Sequence, residues 1–217
     1  MKSLSRMRFD KKNKSLEEMV EATKGLGPPQ PEMLMDCGDG EVCPILTYPN
    51  PRLWSETGEI SNFGESVRKL VADLATTMYY HKAVGIAAPQ IGVPARVFVV
   101  DILNGRPPKD GLPPSQLLVA INPQIWVLPK KKRCDAERCL SFPDLIEIVE
   151  RYDKVVLKAQ DLRGSWFALG CGSALSRCIQ HEYDHLDGIL LTNHMSQIKL
   201  RELKKQIKNR EKNKRIW

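Results

Sequence analysis

The sequence predicts an α+β fold: mixed or antiparallel strands wrapped around a central helix that carries an H-E-x-x-H motif, with a basic helix at the C-terminus. Three observations predict it. Short runs rich in β-branched residues lie close enough together for hairpins. A stretch with helical spacing leads into QHEYDHLDG, Gln180 to Gly188. The final residues, 198–217, combine a narrow apolar stripe with dense positive charge.

In chain order, residues 1–43 read as an extension. GLGPPQPEM and CGDGEV are Gly- and Pro-rich with little apolar periodicity, so the segment is expected to be mostly irregular, with one short helix around SLEEMVEATK. A compact domain is expected over 44–195, opening with PILTYPNPRLW. Val67, Leu70, Val71, Leu74 and Met78 fall on one face of a helix from Ser66 to Tyr80. HKAVGIAAPQIG follows, a run of small residues interrupted by Pro89 and Gly92. RVFVVDI (96–102) predicts a strand, NGRPPKDGLPPSQ (104–116) a loop, and LLVAINPQIWVL (117–128) a strand region broken at Pro123. LIEIVERY (145–152) and KVVLKAQDL (154–162) predict an antiparallel pair, with Arg163–Gly164 in the turn beyond. SALSRCIQHEYDHL is helical, with Leu175, Cys178, Ile179 and Leu186 as its apolar positions and Gly188 as its C-cap. Residues 196–217 form the basic helix, striped by Leu200, Leu203 and Ile207.

Composition narrows the class. With 217 residues, 42% hydrophobic and 27% charged, the chain suits one globular domain with extensions. No apolar run reaches the ~20 residues of a membrane-spanning helix, and the N-terminus lacks the apolar core of a secretory signal. A cytoplasmic protein is expected. MKSLSRMRFDKKNK has Asp10 as its sole acid and is also compatible with a mitochondrial or plastid transit peptide. Without a secretory signal, the six cysteines predict buried or free thiols, or a metal ligand, rather than a disulfide framework. Residues 198–217 hold nine Lys or Arg against two Glu, which alone equals the chain's net +7. Such a block suggests contact with phosphate, in nucleic acid or at a membrane surface; a solvated helix that aids solubility is the simpler alternative.

HEYDH is the chemical signal. On a helix, His181 and His185 stand one turn apart on one face, so both imidazoles can reach one metal ion. Glu182 lies between them, placed to take a proton from water. A catalytic metal usually has three protein ligands. A downstream His at the H-E-x-x-H-x-x-G-x-x-H spacing fails, because position 191 is Leu. Glu202 sits among the basic residues of the tail and is better read as their partner. An upstream Cys suits Zn²⁺ or Fe²⁺ alongside two imidazoles, but spacing does not choose among Cys134, Cys139 and Cys171.

Three stretches, AVGIAAPQ (83–90), ERCLS (137–141) and QHEYDHLDG (180–188), resemble in order the three signature motifs of the peptide deformylase family. PILTYPNPRLW is similar to the family's N-terminal strand and turn, and the resemblance spans about 44–195. It implies a hydrolase that removes the N-formyl group from nascent polypeptides beginning with formyl-methionine. It implies one Fe²⁺ or Zn²⁺ ion on Cys139, His181 and His185, with Glu182 as general base and acid. It places the Gln90 side chain and the Leu140 backbone N–H around the formyl oxygen, and Val84 and Gly85 along the substrate. It also implies ribosome docking through the C-terminal helix. Arg177, four residues before His181, is expected at the edge of the methionine pocket.

The chain departs from the motifs at two places. Ala83 and Arg138 stand where the patterns have Gly. Were a positive φ or a close substrate approach required at 138, Arg138 would strain the turn or crowd the cleft. Three other readings follow from the same features: a relative that binds peptide or ribosome with weak or no turnover, a zinc peptidase of another fold, and a protein whose basic tail is its principal RNA-binding element.

Overall fold

The computed structural model describes residues 15–29, 39–104, 116–128 and 131–214. The basic N-terminal stretch, Cys37 and most of the loop expected at 104–116 lie outside them. Helices α1 (Leu16–Thr23), α2 (Glu65–Tyr80), α3 (Ser173–Leu186) and α4 (Gln197–Lys214) combine with strands β1 (Gly85–Ala87), β2 (Val97–Val100), β3 (Leu118–Val127), β4 (Lys132–Cys139), β5 (Phe142–Tyr152), β6 (Lys154–Gln160) and β7 (Trp166–Gly172). One sheet is five-stranded in the order β1-β2-β3-β6-β7, and β4 with β5 makes a second. All named pairings are antiparallel, so the fold is α+β.

Alternation along the strands divides the core. Phe98 and Val100 of β2 face α3 in a cluster with Leu157, Phe167, Ile179 and Leu186. Val97 and Val99 point the other way, onto Val67, Val71, Leu74 and Met78 of α2. The five-stranded sheet is therefore sandwiched between α2 and α3, and each fully buried aliphatic side chain contributes about 1.5–3 kcal/mol. A third cluster, with Leu53, Phe142, Val149 and Leu190, lies under the second sheet, and Leu203 of α4 packs against it. Lys199 bridges α4 to the buried Glu147 of β5 at 3.0 Å.

Local chemistry explains the element ends. Ser15 and Glu18 form a reciprocal capping box on α1. Gly188 follows α3 with φ 65°, and Ile189 N–H reaches back to Asp184 O. Arg96 and Thr57 both donate to Leu186 O, covering the carbonyl end of the motif helix.

Two expectations change. LIEIVERY and KVVLKAQDL do not pair. β5 bonds to β4, whereas β6 bonds to β3 and β7, and the chain changes sheets at Asp153. Asp153 backbone bonds to Lys131 O and from Ser173 N–H hold that crossing. Pro123 does not end its strand either. β3 runs through it with a register shift between Ile121 and Gln124, and Asn122 at φ 50° spends its side chain on Ile60 and Gln160. Three strands went unforeseen: β1 is three residues long within a run of small residues, β4 is polar in sequence, and β7 contains two glycines. The N-terminal segment meets the body before Pro44, since Glu41 and Cys43 N–H groups bond to Asp73 and Thr77 of α2.

Candidate metal centre and active-site cleft

Helix α3 is polar in sequence yet buried from Cys178 to Leu186. Burying Gln180, His181, Glu182, Asp184 and His185 in one helix is unfavourable unless each has a partner or a task. Gln180 has partners: its amide bonds both to the N–H and to the C=O of Tyr152, where β5 leaves its sheet.

His181 and His185 project together, with ring centroids 5.2 Å apart. β4 brings Cys139 to them, its Sγ 3.2 Å from His185 Nε2. The ligand atoms of Cys139, His181 and His185 all lie within 4.8 Å of one another. Cys134 is exposed on the same strand, and Cys171 is buried in the α3 core. Burial alone would raise the Cys139 thiol, but the imidazoles of His185 and His181 bring it down to about 5, which favours thiolate at neutral pH. A buried thiolate with two imidazoles fits a divalent metal ion.

The alternation of β4 places Glu137 on the Cys139 face. Its Oε2 lies 2.9 Å from His181 Nδ1, which leaves Nε2 free toward the ligand cluster. Arg151 of β5 holds the same carboxylate with two 3.0 Å bonds and also donates to Asp184. Asp184 in turn meets His194 at 2.9 Å. Burial would raise the Glu137 carboxyl; hydrogen bonds from His181 and Arg151 outweigh it and hold the group well below the usual range. The sequence reading missed Glu137, Arg151, Asp184 and His194. A signal was present, since Glu137 lies two residues before Cys139 in a strand and so shares its face.

Glu182 is 3% exposed, and its Oε2 has no hydrogen-bond partner among the described residues. Burial raises this carboxyl to about 7, against the lowering effect of the two histidines. Gly85 makes room for it: a Cβ there would lie 2.6 Å from Glu182 Oε1 and 2.8 Å from Cys178 Sγ. Gln90 is also buried. Its Oε1 accepts from Ala87 N–H at 2.9 Å, which turns Nε2 toward Cys139 Sγ (3.4 Å) and Ser141 Oγ (3.3 Å). Leu140 is half-buried in the turn between β4 and β5.

Gln90, Cys139, His181 and Glu182 line one cleft of about 910 Å³, together with Val84, Gly85, Arg138, Leu140 and Arg177. Arg138 has no positive φ and lies within β4, so the condition under which it would strain a turn is not met. Ala83 likewise has no positive φ and packs against the α2 core. Arg177 is more than a rim residue: it donates to Glu137 Oε1 (2.7 Å), Val149 O (2.9 Å) and Arg133 O (2.8 Å), fastening α3 to β4 and β5.

Comparison with known proteins agrees in sequence and in fold. A sequence model described as polypeptide deformylase matches residues 42–201. A peptide deformylase of Acidobacterium capsulatum is 39% identical over 158 residues, covering 73% of this chain and 89% of its own. One from Cellvibrio japonicus is 38% identical over 171 residues, covering 79% and 96% respectively. The crystal structure of a peptide deformylase from Legionella pneumophila superposes with a TM-score of 0.70 at 32% identity, covering 80% of this chain and 98% of that one. A peptidase of another fold is excluded by the same match. With a family model spanning most of its length and relatives matched almost end to end, this chain belongs to the polypeptide deformylase family.

Proposed function

We infer that the protein is a metal-dependent hydrolase that removes the N-formyl group from the formyl-methionine of nascent polypeptides, releasing formate. The observation that carries this is the convergence of Cys139, His181 and His185 beside a buried carboxylate, Glu182, whose Oε2 has no hydrogen-bond partner among the described residues, in a chain of this family. Cys139, His181 and His185 would hold one Fe²⁺ or Zn²⁺ ion. When bound, that ion supplies Lewis acidity, making hydroxide available near neutral pH and polarising the formyl oxygen.

The chain's own groups do the rest. Glu182, poised near neutral pH by burial, accepts a proton from the attacking water and delivers it to the departing amine nitrogen. Water adds its oxygen to the formyl carbon, the C–N bond breaks, and formate and a free amino terminus leave. Gln90, with its oxygen anchored by Ala87, aims Nε2 at the charge that develops on the formyl oxygen, and the Leu140 N–H assists from the turn. Val84 and Gly85 line the path of the substrate backbone, and Arg138 stands at the cleft mouth. The structural network of Glu137, Arg151 and Arg177 holds His181 in place. Intact candidate ligands and an intact Glu182 favour an enzyme over a relative that only binds. Turnover of a formyl-methionyl peptide by the metal-loaded protein tests the reading; a rate equal to that of Glu182→Ala, with metal bound, would overturn it.

Gly85→Ala is expected to displace the Glu182 carboxylate and to lower kcat/KM on such a peptide about 10²-fold with the fold retained. Circular dichroism beside steady-state kinetics checks this.

We further propose a three-part organisation: an extension over 1–43, a catalytic domain over 44–195 in which the strands wrap the motif helix, and a basic helix over 196–217. No helix among the described residues is long and apolar enough to cross a membrane. The place of action follows the nascent chains: the cytoplasm, or an organelle if the extension directs import. The basic helix serves to dock the ribosome. Lys199 is engaged with Glu147, but the cationic positions beyond it stay exposed through Lys208. Deleting 198–217 is therefore expected to weaken co-sedimentation with ribosomes while sparing turnover of short peptides; unchanged co-sedimentation would refute the docking role.

A further inference from the structure

The charges lining the cleft are unevenly satisfied. Arg151 is held by Glu137 and Asp184, Arg177 by Glu137 and two backbone carbonyls, and Arg133 by Asp153 at 2.9 Å. Lys82 and Arg138 also line the cleft, are exposed, and make no ion pair among the described residues. Four acids among the described residues line the same cleft: Glu137 is taken up by Arg151 and Arg177, Asp153 by Arg133, Glu182 is buried, and Asp135 accepts the Ala136 N–H on its Oδ1. The mouth is thus locally positive.

Lys82 is held there at a conformational cost. It follows α2 with φ 54°, and the next residue, Ala83, donates back to Met78 O, closing the helix end. Glycine occupies such a left-handed position without strain, whereas an L side chain does not. A lysine held in a strained conformation beside a cleft points to use of its ammonium. Arg138 immediately precedes Cys139 on β4, and Lys82 lies three residues before Gly85, against whose Cα Glu182 is packed. Both cations line the same cleft as Glu182 and Cys139, the space that a chain with its first residue at those two groups must share.

We propose that Lys82 and Arg138 form a cationic mouth that selects formyl-methionyl chains bearing Asp or Glu immediately after the methionine. The inference rests on the deformylase reading. Like charges at the mouth also disfavour Lys or Arg at that position of the substrate.

The test compares C-terminally amidated formyl-Met-Glu-Ser, formyl-Met-Gln-Ser and formyl-Met-Lys-Ser on the metal-loaded full-length protein. The wild type is expected to favour Glu over Gln by about threefold to tenfold in kcat/KM at low ionic strength, given two exposed pairs. Gln should be favoured over Lys, and both preferences should shrink as salt is raised. Lys82→Gly and Arg138→Gln should each lower the Glu-to-Gln ratio, and the double variant should bring it to about one. Because each ratio is taken within one variant, a general loss of activity from changing the neighbour of Cys139 cancels. Lys82→Gly relieves strain rather than adding it, so it must lower the ratio even if Arg138→Gln folds poorly. Equal rates for all three peptides in the wild type, or a ratio that survives in the double variant, would overturn the mouth's role alone. No turnover of any formylated peptide would overturn the deformylase reading and this inference with it. A double variant that keeps its ratio but loses ribosome binding would assign the cations to nucleic-acid phosphate instead.

Discussion

Glu182→Gln is expected to lower kcat/KM on a formyl-methionyl peptide by about 10²–10⁴-fold, the range for losing a general acid–base, while metal content stays unchanged. The side chain is buried, with one oxygen against Gly85 and the other without a hydrogen-bond partner among the described residues. Gln has nearly the same shape, so the space over Gly85 stays filled and Cys139, His181 and His185 stay in register. What is lost is the proposed proton acceptor, a carboxyl that burial raises to about 7. Steady-state kinetics beside elemental metal analysis separates this outcome from metal loss. A variant with a tenth or more of wild-type turnover would remove Glu182 from the chemistry.

Glu137→Ala is expected to damage stability and metal affinity more than any other change outside the proposed ligand set. It strips the acceptor from His181 Nδ1, from both Arg151 nitrogens that grip it, and from Arg177. Breaking a buried charge network by removing one partner costs about 3–5 kcal/mol, because the remaining charge is left uncompensated. Releasing His181, a proposed ligand, should weaken metal binding by about 10- to 100-fold. Denaturant unfolding and competition with a metal chelator measure the two effects. Glu137→Gln should keep the volume yet flatten the acid dependence of stability. The folded carboxyl is held below its ordinary value of 4.5, so its contribution is full above that value and is lost as pH falls through the lower folded value. An Ala variant with wild-type stability and metal affinity would show that the network is dispensable.

What could be read along the chain was whatever repeats locally. Val67, Val71, Leu74 and Met78 gave away α2 because burial of one helical face leaves a periodic trace. Cys178, Ile179 and Leu186 did the same for the helix of HEYDH, and Gly188 marked its end because only a left-handed residue closes it without strain. β4 left no such trace. Its inward positions are Glu137 and Cys139, chemical groups rather than apolar ones, and its outward positions are exposed. The false pairing of 145–152 with 154–162 has a related cause: adjacency and strand propensity say nothing about a chain that changes sheets at Asp153.

The sequence by itself determined the α+β class, two histidines one turn apart, the carboxylate between them and, through motif resemblance, the family and its likeness of chemistry. Spacing left Cys134, Cys139 and Cys171 open and motif resemblance pointed to Cys139; the tertiary structure brings Cys139 to the histidines, and it alone decided that Glu137 orients one of them and that Arg177 is spent on the scaffold. Spacing within one helix is a local property that periodicity records. Contacts between residues forty or more positions apart, such as Cys139 with His185, depend on which strand edges and faces the packed core brings together.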